Sequence, residues 1–245
     1  MPTKVALVAL AVAATTIAGC QNGEADSAQP AAGSSASSAP AGNGVAALTG
    51  DEILKRAKAA LTQAKSFRAK GAMAEDGQQT EIDLKVSGAD FAATLSFDKA
   101  KVELLAVGGK KYLRPNAQFW AIATSAEQGK TLSQAMGGRW VAGADSDQSF
   151  GELFTVGSVD ELLKPTGTLS KGEEKKIGGV PAIGLKDSGD PDSVLYVATT
   201  GEPYPLQMVA KAGSAMVFSA FGETFTDIKA PAADQIVDMG KLTGK

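Results

Sequence analysis

The first clear periodic pattern in the chain is helical. From Ile53 onward, apolar residues recur at helical spacing with lysines and other polar residues between them. Thr49 and Glu52 stand at the spacing of a capping box, and Leu48 and Ile53 at that of a hydrophobic staple. The pattern therefore predicts an amphipathic helix of about four turns over residues 50–65.

After this helix the period falls to two, which is typical of strands with one buried face. Around Leu84, for example, apolar positions alternate with charged ones such as Asp83 and Lys85. Some connections are as short as Gly108-Gly109, and connections of this length join antiparallel neighbours. The strands predicted in the first half are 80–87, 91–97, 101–107 and 110–114.

The middle of the chain, 116–138, has a less regular pattern, whereas the last third returns to strands. Residues 139–141 are predicted to form a short strand, and the apolar residues of 150–163 indicate two short helices that end before Pro165. Glycine-rich and Asp-Pro turns separate the later strands. These strands are predicted at 168–177, 180–186, 193–199, 206–211 and 215–221.

Together these elements predict an α+β fold. About nine to eleven antiparallel strands form one sheet, and a sheet of that size tends to curl. The apolar side of the curl must be covered, and the helices are the elements available to cover it. We therefore expect a curved antiparallel half-barrel whose concave side is covered by helices.

The N-terminus has the pattern of an export signal. Lys4 precedes an uncharged apolar run, which closes with a sequence that resembles a bacterial lipobox, Ile17 to Cys20. A membrane span needs about 20 apolar residues, and small or polar residues follow Ile17 directly. The sequence thus predicts a signal peptide over 1–19 and lipidation of Cys20, for instance with palmitate.

Residues 20–46 are predicted to be a disordered tether, and 47–245 a single domain. The tether consists mostly of alanine, serine, glycine and proline and has almost nothing to bury. We expect the protein to be a monomer on the extracytoplasmic face of the cell membrane, held there by its N-terminal lipid anchor.

Composition narrows the chemistry further. The net charge is −3, and becomes −4 without residues 1–19, so a nucleic-acid partner is not expected. The chain has no histidine, which excludes Ser-His-Asp and Cys-His catalytic pairs and His-ligated zinc. The one cysteine belongs to the predicted anchor. We expect no catalytic residue and no cofactor, and a hydrolase that works without histidine is the least favoured class.

Two acidic segments have the composition but not the spacing of a metal site. Asp187 begins one of them, yet the residue eleven places later is Ala198, where an EF-hand has a glutamate. Local Asx bonding in a hairpin turn explains the same residues. Asp145 and Asp147 have the same interpretation, and no metal site is predicted.

Several short segments follow the lipobox, the tether and the capped helix in a fixed order. They are Lys65 to Arg68, Phe119-Trp120, Arg139 to Val141, Gly179 to Ala182, Leu195 to Val197, Glu202 to Leu206, Phe218 to Gly222 and Ala230-Pro231. This order resembles the actinobacterial lipoprotein family typified by LppX and LprG. The resemblance covers residues 20–240 and depends on order and spacing instead of on one specific motif.

The resemblance implies a LolA-like fold, in which a curved sheet surrounds a hydrophobic cavity for an acylated lipid, without catalytic residues. Apolar strand residues would then line the cavity, although the same residues could fill an ordinary core. Phe119, Trp120 and Met136 are instead predicted at a mobile rim. The candidate lipid-binding residues are Ile82, Leu84, Val86, Phe91, Leu95, Phe97, Phe119, Trp120, Met136, Met208, Met216 and Phe218.

Two functional hypotheses result. The leading one is a membrane-anchored lipoprotein that binds a lipid or another amphiphile, for lipid transport or presentation at the cell envelope. The alternative is a non-enzymatic structural or interaction lipoprotein of the envelope, with the same fold and a filled cavity.

Overall fold

The described part of the chain is built around one sheet of twelve strands. The computed structural model describes residues 41–75, 78–143 and 148–238, so Cys20 and most of the predicted tether lie outside it. The strands in chain order are β1 Ser66–Glu75, β2 Gln78–Ser87, β3 Asp90–Phe97, β4 Ala100–Val107, β5 Lys110–Pro115, β6 Trp140–Ala142, β7 Leu169–Ile177, β8 Val180–Asp187, β9 Asp190–Ala198, β10 Pro205–Val209, β11 Ala215–Ser219 and β12 Ile236–Asp238.

The spatial order of the strands is β12-β6-β5-β4-β3-β2-β1-β11-β10-β9-β8-β7. All neighbours are antiparallel except β12, which pairs in parallel with β6. The sheet is large, open and curved, which confirms the predicted fold class. Its twelve strands exceed the predicted number partly because β12 has three residues, too few for a period-two pattern to be recognised.

Within the residues that the structure describes, five α-helices accompany the sheet. The first confirms the capping prediction, because the Thr49 side chain accepts a hydrogen bond from the Glu52 amide and the Glu52 carboxylate accepts one from the Thr49 amide. The hydrogen bonds that the Glu52 carboxylate accepts from the Thr49 amide and hydroxyl lower the pKa of Glu52. The helices are α1 Gly50–Ala64, α2 Ala117–Ala123, α3 Ala126–Met136, α4 Gln148–Leu153 and α5 Val159–Leu162, and a 3-10 turn, Phe154–Gly157, joins the last two.

The segment expected to be irregular, 116–138, is a regular helical hairpin. Asn116 and Ser125 cap α2 and α3 by accepting hydrogen bonds from backbone amides three residues later. Gly129 permits the close approach of the two helices, because a Cβ atom there would overlap the backbone at Ala121. The sequence pattern did not predict α2, because a helix of only seven residues is too short to show a clear amphipathic period.

The core lies between the helices and one face of the sheet, here called the inner face. Phe67 on β1, Leu84 on β2 and Leu104 on β4 point to this face and are at most 1% exposed. Helix α1 contacts β1 and β7, while α2 contacts β4 and β5. The helices therefore cover the two halves of the inner face, and 148–163 lies between them.

Residues before the predicted start of the domain at residue 47 also contact the sheet region. Gly42 forms a β-bridge with Thr200, and the Asn43 side chain donates hydrogen bonds to the carbonyls of Ala198 and Gly201. Val45, in a 3-10 turn, is 1% exposed. The residues from 42 to 46, predicted as the end of the tether, are thus packed on the domain.

The C-terminal segment crosses the outer face of the sheet. After β11 it contacts β2, where the Lys85 ammonium pairs with the Asp227 carboxylate at 2.5 Å, and it ends in β12 beside β6. It covers a polar pocket of about 390 Å³. In the ranges given above, no helix is long and apolar enough to cross a bilayer.

Candidate functional site

The inner face carries an open pocket of about 640 Å³. Its floor is formed by apolar side chains of five adjacent strands, and its roof by the segment that contains α4 and α5. The pocket has the size and the mainly apolar lining of small-molecule sites. The floor residues are Met73, Ile82, Leu95, Met208 and Met216; the roof residues are Leu153, Val156 and Leu162; the polar lining residues are Thr80, Thr155, Glu152 and Glu161.

The strand register explains why these floor residues lie together. Met208 on β10 is opposite Met216 on β11, and Ile82 on β2 is opposite Leu95 on β3. Gly71 on β1 lies between the two pairs, opposite both Ile82 and Met216. Gly71 also lets β11 approach β1 closely, because an added Cβ atom would overlap the backbone of 215–216.

Aromatic packing fixes the roof on one side. The Phe154 ring lies 6.1 Å from the Phe91 ring of β3, and the Lys111 ammonium of β5 lies 5.3 Å from the Phe154 centroid. Gly157 faces the same Phe91 ring so closely that a Cβ atom would overlap it. Contacts of Phe154 and Gly157 with the Phe91 ring therefore position the roof.

An ion pair connects the other side of the roof to α1. The Lys58 ammonium lies 3.0 Å from the Asp160 carboxylate, which is 84% exposed. Because it is exposed, this ion pair contributes little to stability. A smaller apolar cavity of about 70 Å³ lies under this part of the roof, and it shares Leu162 and Met208 with the main pocket.

The charge of the lining is entirely negative. Glu152 and Glu161 are the ionisable side chains among the residues that line the main pocket, and both belong to the roof. The Gln148 amide donates to the Glu152 carboxylate at 3.3 Å, and the Lys164 ammonium lies 3.2 Å from that of Glu161. The pocket thus combines apolar walls with two exposed carboxylates on its roof.

The structure distributes the twelve candidate residues over different environments. Ile82, Leu95, Met208 and Met216 line the pocket. Phe97 is partly buried against Phe119, with ring centroids 6.1 Å apart. The remaining candidates belong to the packed core at 0–7% exposure: Leu84, Val86, Phe91, Phe119, Trp120, Met136 and Phe218.

The prediction of a mobile rim at Phe119, Trp120 and Met136 is therefore wrong, because these residues lie in packed helices. Trp120 is 1% exposed and makes an edge-to-face contact with Phe150 at 5.8 Å. Its indole Nε1 has no hydrogen-bond partner among the described residues. The irregular composition of the segment concealed two capped helices, and these helices bury the aromatic side chains.

Sequence reasoning missed Met73 and the roof residues of the pocket. Met73 continues the inward alternation of Phe67, Ala69 and Gly71, a pattern that is weak because two of its members are small. Leu153 and Leu162 were predicted to lie in short helices, but the position of the roof over the central strands depends on tertiary packing that no local pattern reveals.

The acidic turn at Asp187 has a structural explanation. Its carboxylate accepts hydrogen bonds from the amides of Gly189 at 2.9 Å and Thr166 at 2.6 Å. Desolvation opposes ionisation, yet these hydrogen bonds lower the pKa of Asp187. The carboxylate thus makes the predicted Asx-type bonds and ties the 165–168 loop to the hairpin. Asp145 and Asp147 lie outside the described residues.

The architecture is that of an α+β protein with a large, open, mostly antiparallel sheet. No family model and no curated protein matches the chain. Among solved structures, LprF from Mycobacterium bovis is similar at 12% identity and a TM-score of 0.45, over 75% of this chain and 97% of that one.

Two further solved structures are similar to the chain. An uncharacterised conserved protein from Thermus thermophilus has 13% identity and a TM-score of 0.40, over 77% of this chain and 98% of that one. The MucA/MucB complex of Pseudomonas aeruginosa matches at 17% identity and a TM-score of 0.32, over 76% and 59%. At these identities the similarities concern the fold and assign no ligand.

Proposed function

We propose that this protein is an envelope lipoprotein that holds the apolar chain of a lipid or another amphiphile in the inner-face pocket. The pocket itself carries the proposal, because about 640 Å³ remains open between the central strands and their helical roof. The open space lies where Ile82, Leu95 and Met208 remain only partly buried. Methionine side chains adapt to ligands of loose shape.

The binding would be driven by burial of the chain, at about 0.8 kcal/mol for each buried CH₂ group. No covalent step is involved. The lipobox-like sequence that ends at Cys20 supports an anchored state, which would keep the pocket close to the source of such ligands. Transport or presentation of lipid at the extracytoplasmic face of the cell membrane is the role we infer.

Calorimetric titration with decanol, an uncharged ten-carbon amphiphile, tests the proposal. Met208→Trp places a bulky ring in the pocket and should weaken decanol binding at least about tenfold, or 1.4 kcal/mol. Gln207→Trp is the matched control, since the adjacent residue of β10 faces the other side of the sheet. Equal binding by both variants, or no binding by the unsubstituted protein, would overturn the proposal.

A further inference from the structure

The charges that line the inner-face pocket suggest which amphiphiles it accepts. The floor contributes apolar side chains and Thr80, whereas the roof contributes two carboxylates, Glu152 and Glu161. Neither lysine nor arginine is among the lining residues. A polar head group held beside the roof would therefore meet negative charge on the protein.

The neighbours of these carboxylates leave most of that charge in place. Glu152 accepts a hydrogen bond from the neutral amide of Gln148, which does not cancel its charge. Glu161 pairs with Lys164, but the two side chains are 49% and 65% exposed, and exposed pairs of this kind are weak. The nearby Asp160 carboxylate is shared with Lys58 of α1.

The apolar floor strengthens the effect of the two carboxylates. Charges beside a surface of low polarity interact more strongly than the same charges in bulk water. A chain buried in the pocket holds its head group among the exposed lining residues, which include Glu152 and Glu161, so attraction or repulsion acts at short range. A cationic head would be attracted to Glu152 and Glu161, and an anionic head would be repelled.

We infer that the pocket selects amphiphiles with a cationic head group over those with an anionic head group, and that Glu152 and Glu161 determine this preference. The inference rests on the proposed function, because it assigns a head-group class to ligands whose chain occupies that pocket. Glu152 and Glu161 are then the specificity-determining residues on the roof of the pocket.

Three ten-carbon probes separate the head group from the chain: decylamine, decanol and decanoate. At about pH 7.5 the amine is protonated and the carboxylate is ionised, while decanol is neutral. In low salt, calorimetric titration should show decylammonium binding about tenfold more tightly than decanoate, with decanol between them. The difference should shrink at about 0.3 M salt, because exposed charges are screened.

Charge-neutral variants test the assignment to the two residues. In the Glu152→Gln/Glu161→Gln double variant, the ratio of the decylammonium affinity to the decanoate affinity should fall to near one. Glu127→Gln is the matched control, because Glu127 is an exposed carboxylate of α3 that does not line the pocket. This control should retain the preference.

The outcomes distinguish this inference from the proposed function. Binding of none of the three probes would overturn both. Decanol binding with decanoate equal to or tighter than decylammonium would overturn the inference alone. A preference that survives in the double variant, or that Glu127→Gln removes equally, would also overturn it, since the roof carboxylates would then not be its source.

Discussion

Phe154 rests against Phe91 with ring centroids 6.1 Å apart, and this contact joins the roof of the pocket to the central sheet. Both rings are at most 6% exposed. Residues 148–163 contain only short helical pieces, which would not be stable alone. The position of the roof therefore depends on tertiary contacts of this kind.

Removal of the Phe154 ring should loosen the roof. Phe154→Ala is expected to lower the free energy of unfolding by about 3–5 kcal/mol, through lost burial and a residual cavity. Urea denaturation followed by circular dichroism measures the loss. Phe225→Ala, which removes a half-buried ring from the C-terminal segment, is the control and should cost far less. An equal cost for both would contradict the anchoring role of Phe154.

Gly71 should not tolerate a larger residue. In Gly71→Ala the added Cβ atom would overlap the backbone at 215–216, so β1 and β11 would have to move apart. We expect a loss of about 1–3 kcal/mol, or more if the pairing breaks. Gly172→Ala is the matched strand control, because the nearest atom to its added Cβ would be in the flexible Lys186 side chain, 3.3 Å away. Comparable midpoints of thermal unfolding for the two variants would refute the prediction.

Acid should lower the stability of the fold by protonating Asp83 on the outer face of the sheet. Arg68 donates from Nε and Nη2 to this carboxylate at 2.8 and 2.5 Å, and this hydrogen bonding lowers the pKa of Asp83 despite opposing desolvation. A lowered folded-state pKa means that the stabilisation is fully present above the unfolded value of about 3.9 and is lost as the pH falls through the folded-state pKa.

Asp83→Asn should therefore destabilise the protein by about 1 kcal/mol at neutral pH and reduce the dependence of stability on pH below about 4. Denaturation midpoints between pH 7 and the acid limit of folding give both quantities. Glu127→Gln is the control, because it removes an exposed carboxylate of α3, and it should change the stability at neutral pH far less. An Asp83→Asn profile that parallels the unsubstituted protein would exclude this role for the pair.

Metabolic labelling with a radioactive fatty acid checks the predicted anchor. The unsubstituted chain should take up the label when it is produced in a bacterium that processes lipoproteins, and Cys20→Ser should take up none, because the chain has no other cysteine. Membrane retention alone is a poorer readout, since an uncleaved signal would also hold the protein there. Label on the serine variant would refute lipidation at Cys20.

Much of the architecture could be predicted from local patterns. The capping box at Thr49 and Glu52 fixed the start of α1 correctly, and the alternation around Leu84 identified β2 and its buried face. Both signals depend on neighbours within one helix turn or one strand, so the sequence displays them directly.

The candidate site was less predictable because inward alternation does not separate a pocket wall from a filled core. Leu84 and Ile82 belong to the same face of β2, yet Leu84 is fully buried and Ile82 borders the pocket. The difference comes from the roof above them. The position of the roof is set by contacts between residues far apart in sequence, such as Phe91 and Phe154, and local periodicity does not predict such contacts.

Native mass spectrometry of the chain without residues 1–20 tests the central claim most directly, because the described residues between 41 and 238 belong to one compact unit that contains the whole pocket. We predict that the protein carries a co-purified amphiphile, that the ligand exchanges with added lipid vesicles, and that Met208→Trp loses it while Gln207→Trp keeps it. A ligand-free protein that takes up no lipid from vesicles would contradict the account.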